Sequence, residues 1–95
     1  MDIQTVKQMA APIFRQYQVR KAAVFGSLAR GESNDTSDVD ILLELPDHAS
    51  LFDVVALSND LKDALHTPVD LVEYDAVKPA LRQFIIGSEI PIYPI

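Results

Sequence analysis

The sequence predicts an α/β fold, a small mixed β-sheet with helices packed on one side of it. Three observations carry this. Apolar runs of strand length stand at 21–25, 39–45 and 69–74. Residues 3–17 and 51–65 instead repeat their apolar side chains at helical spacing. The order strand, helix, strand over 39–74 then predicts a crossover between two parallel strands.

The elements follow in order. Ile3, Val6, Ala10, Ile13, Phe14 and Tyr17 form one stripe, so 3–17 reads as an amphipathic helix. Pro12 lies inside it and is expected to bend or split it, because proline removes one helical hydrogen bond. Arg20-Lys21 lead into Ala22-Ala23-Val24-Phe25, a buried strand. Gly26-Ser27 turns the chain, and 27–30 reads as a short helical turn. Residues 32–37 are polar and turn-like. The second strand, 39–45, ends at Pro46-Asp47-His48. Ser50, with Asp53 three residues on, is a loose capping box for a helix over 51–65. Its apolar side is expected to comprise Leu51, Val54, Val55, Leu57, Leu61, Ala64 and Leu65. Thr67-Pro68 stops it, and 69–74 is the third strand. Asp75 is expected to cap a last helix containing Val77, Leu81, Phe84 and Ile85, with Gly87 as its stop. Residues 89–93 read as an extended tail or edge strand.

Composition bounds the function. The 95 residues suit one domain, 1–95, near the small end of what folds alone. There is no cysteine, hence no disulfide and no thiolate metal site. No apolar run approaches transmembrane length and the first residues have no signal-peptide character, so a cytoplasmic location is expected. The net charge is −6, and the eight Lys and Arg residues are scattered. That argues against direct nucleic-acid binding and allows a match to a basic protein partner.

The chemistry concentrates between the first two strands. A glycine after a strand lets the backbone approach a bulky anion, and a helix N-terminus offers N–H groups to phosphate. Asp38-Val39-Asp40 follows ten residues after Ser27 and runs into the second strand. Strand alternation puts Asp38 and Asp40 on one face and Val39, Ile41, Leu43 and Leu45 on the other. Two carboxylates facing a phosphate-binding turn suit Mg²⁺ held between protein and nucleotide. Taken alone, the two acids read first as a turn cap and the start of a strand; their spacing from Gly26-Ser27 points instead to the metal. Asp70 stands in an apolar strand, where an aspartate is costly without a partner or a task. It is the candidate third carboxylate that two-metal phosphoryl chemistry requires.

Gly26-Ser27-Leu28-Ala29-Arg30-Gly31 followed by Ser37-Asp38-Val39-Asp40 resembles the signature of DNA-polymerase-β-type nucleotidyltransferases, and most of all their minimal members. The resemblance covers nearly the whole chain. It implies a polymerase-β-like fold in which Asp38, Asp40 and Asp70 hold up to two Mg²⁺ ions. It also implies that Gly26 and Ser27 grip the phosphates of ATP and that Arg30 neutralises phosphate charge. Many minimal members are antitoxins of HEPN-domain toxins. The resemblance therefore implies transfer of AMP to a hydroxyl, with tyrosine the first choice, on a cognate HEPN ribonuclease. Two alternatives stay open: an antitoxin that masks the toxin by binding, and a small-molecule enzyme of the antibiotic-modifying type. A homo- or hetero-oligomer is compatible with so small a chain. His48 and His66 have no matching ligand set and are expected in solvent. Glu44 shares a strand face with Asp40 and is expected to face solvent. Gly31 is expected to serve backbone conformation alone, and Tyr74 and Tyr93 to pack, although a tyrosine could accept a nucleotide in self-modification.

Overall fold

The computed structural model describes residues 2–31, 38–77, 79 and 88–94. Its order is α1 (Ile3–Gln16), β1 (Lys21–Phe25), α2 (Gly26–Ala29), β2 (Val39–Glu44), α3 (Leu51–Leu65), β3 (Val69–Glu73), a 3₁₀ turn (Tyr74–Ala76) and β4 (Ile90–Tyr93). The four strands form one mixed sheet in the order β3-β2-β1-β4. β1 is antiparallel to both β2 and β4, and β2 and β3 are parallel, as the crossover requires.

Helix α1 begins where Asp2 accepts a hydrogen bond from the Thr5 backbone N–H at 2.7 Å, an N-cap the sequence reading passed over. That bond holds the Asp2 carboxyl below its ordinary value. Pro12 does not split α1. It lies on the solvent side, so the carbonyl deprived of its helical partner faces water. Val6, Ala10 and Phe14 point from α1 into the sheet and are fully buried. Leu57, Leu61 and Leu65 do the same from α3. They meet Ala22, Val24, Val39, Ile41, Leu43, Val69 and Ile92 in one core. Tyr17 ties the two helices together, donating from its hydroxyl to Asp60 Oδ2 at 2.5 Å.

The apolar side expected for α3 needs one correction. Leu51 and Val55 are 77% and 52% exposed, not buried. At 3.6 residues per turn Val55 stands about 120° from the Leu57–Leu61–Leu65 line, whereas Leu51, about 80° from it, is exposed as the first residue of the helix. The apolar composition of the first turn hid this. The capping box is present: Asp53 N–H donates to Ser50 Oγ at 3.3 Å, and Ser50 N–H to Asp53 Oδ2 at 2.9 Å. Ser50→Ala is expected to cost about 1 kcal/mol, a fall of roughly 4–8 °C in Tm by calorimetry.

The chain end is an edge strand, with Ile92 buried and Tyr93 packed on Phe14, ring centroids 5.4 Å apart. Asp75 falls in the 3₁₀ turn, and Val77 is buried. The expected last helix, with Leu81, Phe84 and Ile85 and its stop at Gly87, lies outside the described residues, as does the turn over 32–37.

Candidate active site

The sheet has two faces. Residues Val39, Ile41 and Leu43 of β2 and Val69 and Leu71 of β3 face the helices. Alternation sends Asp40, Leu42 and Asp70 to the opposite face. Because β2 and β3 are parallel and in register, Asp40 pairs directly with Asp70. Thus two acids separated by thirty positions in the chain become neighbours on adjacent strands. Asp38 precedes β2 and is exposed, so it reaches the site from the approach to the strand rather than by strand alternation.

On the other side of Asp40 is the end of β1, whose Phe25 pairs with Asp40. The next residue, Gly26, has φ +72° and opens α2. A Cβ built on Gly26 would collide with the Asp40 carboxylate. The room at this glycine, expected to admit an anion, is used in the structure by Asp40 itself. Gly26→Ala is therefore strained twice, by backbone conformation and by contact. We expect a loss of about 1–3 kcal/mol in urea unfolding, and Asp40 must move to admit the methyl group. Gly31 has φ +74° and nothing near its Cβ position, so there only the backbone conformation matters.

Electrostatics mark Asp40 as the stressed member of the group. Burial raises its pKa first; the negative charges of Asp70 and Asp38 and a hydrogen bond with Asp70 raise it further, and Arg30 lowers it. Like charges this close favour a shared proton or a bound cation. The donors are hard carboxylate oxygens, which suit Mg²⁺, and the stress on Asp40 is of the kind a cation relieves. Among the described residues, no three His, Cys, Asp or Glu side chains are already closed into a metal cage. The three aspartates are neighbours with the right chemistry rather than a finished coordination shell. Arg30 caps α2 and is close enough for its charge to act on Asp40. The backbone of Ser27 lies in α2; its side chain is outside what is described.

At the opposite end of the strands the described acids are exposed, paired with cations or hydrogen-bonded. Glu44 forms exposed ion pairs with Arg20 at 3.9 Å and Lys21 at 3.7 Å. Lys21 also lies 4.3 Å from the Tyr74 ring centroid, and the Tyr74 hydroxyl donates to Glu89 at 2.9 Å. Burial and that carboxylate push the Tyr74 pKa upward, which makes it a poor nucleophile. A cleft of about 250 Å³ lined by Glu44, Pro46, Asp47 and Glu73 lies at this end, away from Asp40. His48 and His66 are exposed. Among the described residues, no helix is long and apolar enough to cross a membrane.

Comparison with known proteins shows the family. Residues 8–94 match the family described as polymerase beta, nucleotidyltransferase. A Methanocaldococcus jannaschii protein, provisionally named a protein adenylyltransferase, is 36% identical over 97% of this chain and 99% of its own. The protein adenylyltransferase MntA of Thermococcus cleftensis is 35% identical over 79% of this chain and 76% of its own. Among solved structures, one provisionally assigned as a minimal nucleotidyltransferase superposes with a TM-score of 0.83 at 30% identity, covering 96% of each chain. A toxin–antitoxin complex with AMP-PNP superposes at 0.76 and 21% identity over 98% of this chain and 73% of that one, a likeness of fold. The match over 8–94 and the near full-length relative place this chain in the polymerase-β nucleotidyltransferase family, among its minimal members.

Proposed function

We propose that this chain transfers AMP from Mg·ATP to a hydroxyl of a HEPN-domain toxin, with tyrosine as the acceptor, and so neutralises it. The observation that carries the proposal is the Asp40–Asp70 register pair beside the Gly26 turn. Support for the acceptor class comes from the adenylyltransferase names of the relatives. A structure of similar fold, that of a tri-AMPylated Shewanella oneidensis HEPN toxin with its MNT antitoxin, supports the partner.

In this reading Asp38 and Asp40 hold the metal ions and Asp70 completes the set. Mg²⁺, when bound, neutralises the phosphates and stabilises charge on the attacking and leaving oxygens. The backbone at Gly26 and the start of α2, with Ser27, bind the outer phosphates, and Arg30 balances their charge. Asp70 accepts the proton as the acceptor hydroxyl attacks the α-phosphorus. The new O–P bond forms in line as the bond to the β-phosphate bridge breaks, and pyrophosphate leaves.

Catalysis and masking separate in one experiment. The toxin is incubated with this chain and Mg·ATP, the chain is stripped off under mild denaturant, and the ribonuclease activity of the refolded toxin is measured. Activity that stays low means covalent silencing. Activity that returns in full means masking and overturns the proposal.

A further inference from the structure

Helix α3 carries an apolar patch that the core does not use. Leu51 is 77% exposed, Phe52 86% and Val55 52%, and all three lie within its first five residues. Side chains exposed to that degree form a patch on the order of 300–500 Å². That is about half of the roughly 800 Å² each partner gives to a stable complex. The size suits a partner that docks and leaves. Beside it stand two exposed carboxylates, Asp47 before the helix, which also pairs with Arg20 at 3.9 Å, and Asp53 on the first turn. A second copy of a chain with net charge −6 would bring like charges together at this rim.

The location adds a constraint. β2 runs from Asp40 toward Glu44, and α3 returns so that β3 can start beside Asp40. The patch therefore lies at the end of the molecule remote from the carboxylates. A helix of 15 residues is about 22 Å long, which sets the separation at roughly 20 Å.

We propose that Leu51, Phe52 and Val55 dock the acceptor protein through an apolar surface with a basic rim, and that its acceptor hydroxyl reaches the carboxylates from about 20 Å away. This rests on the protein-transfer reading above. Such a span needs about six extended residues, or a rigid partner of matching width. Docking and chemistry are then separate contacts, and docking sets KM while leaving kcat to the carboxylate end.

The test is the double variant Leu51→Ser/Phe52→Ser, whose side chains contribute little to the core. AMP transfer is measured on the intact HEPN toxin paired with this chain and on a short peptide carrying only its acceptor residue. The proposal expects KM for the intact toxin to rise tenfold or more, with kcat within twofold of wild type. It also expects equal rates on the peptide and an unchanged Tm. An unchanged KM for the intact toxin overturns it. So does a wild-type dimer in sedimentation that the variant abolishes, which would assign the patch to a second copy. If wild type transfers no AMP at all, the functional reading fails, and calorimetric titration of the toxin still decides the patch: tenfold weaker binding by the variant supports docking, and equal binding overturns it.

Discussion

Asp40→Asn will abolish AMP transfer, a loss of at least about 10³-fold, while raising the Tm of the metal-free protein by a few degrees at neutral pH. The two effects share one cause. In the native state burial and the charges of Asp70 and Asp38 raise the Asp40 pKa, whereas in the unfolded chain it titrates as an ordinary carboxylate. The folded protein therefore binds more protons than the unfolded one in the window above the ordinary carboxylate pKa. The contribution of Asp40 to stability is fully present below that value and is lost as pH rises through the raised native pKa. The carboxylate is partly solvated, so the effect is a modest one. Thermal melts across this window should show the wild type losing stability with rising pH and Asp40→Asn following a flatter curve. Added Mg²⁺ should restore the wild type and leave the variant nearly unmoved. A variant that melts lower than wild type at neutral pH would show that the carboxylate stabilises the fold, contrary to this account.

Phe14→Ala is expected to cost about 3–5 kcal/mol. Phe14 is fully buried between α1 and the sheet, and it also meets the Tyr93 ring at 5.4 Å with a 56° tilt. The substitution leaves a cavity and removes an aromatic pair that holds β4 to α1. A domain of 95 residues has a total stability of roughly 5–14 kcal/mol, so about a fifth or more disappears. The expected fall in Tm is about 15–30 °C. Urea unfolding should show a lower midpoint with an unchanged slope, and Phe14→Leu should recover most of the loss. Transfer per folded molecule should stay near wild type, because Phe14 lies on the face opposite Asp40.

Much of this was legible in the sequence because it was local or periodic. The strands and helices appeared as apolar patterns, and the parallel β2–β3 pair followed from the strand–helix–strand order. Asp70 stood out because an acid in an apolar strand has to be explained. What the sequence could not show was non-local. Nothing in it says that Asp70 pairs with Asp40 in register, or that β1 lies between β2 and β4. The contact between Gly26 and Asp40 spans fourteen positions and depends on that pairing. The exposure of Val55 depends on its angle around α3 and that of Leu51 on its place at the helix start, and apolar character alone shows neither. Pro12, expected to bend or split α1, lies on its solvent side within one continuous helix.

We propose above all that the carboxylate end of the sheet transfers AMP to a protein. The most direct measurement incubates this chain with α-labelled ATP, Mg²⁺ and its paired toxin, with intact mass spectrometry of the toxin and Asp38→Asn as control. The account predicts label on the toxin in whole AMP units, dependent on Mg²⁺ and absent with Asp38→Asn. A stable complex that carries no label, or label undiminished by Asp38→Asn, would contradict it.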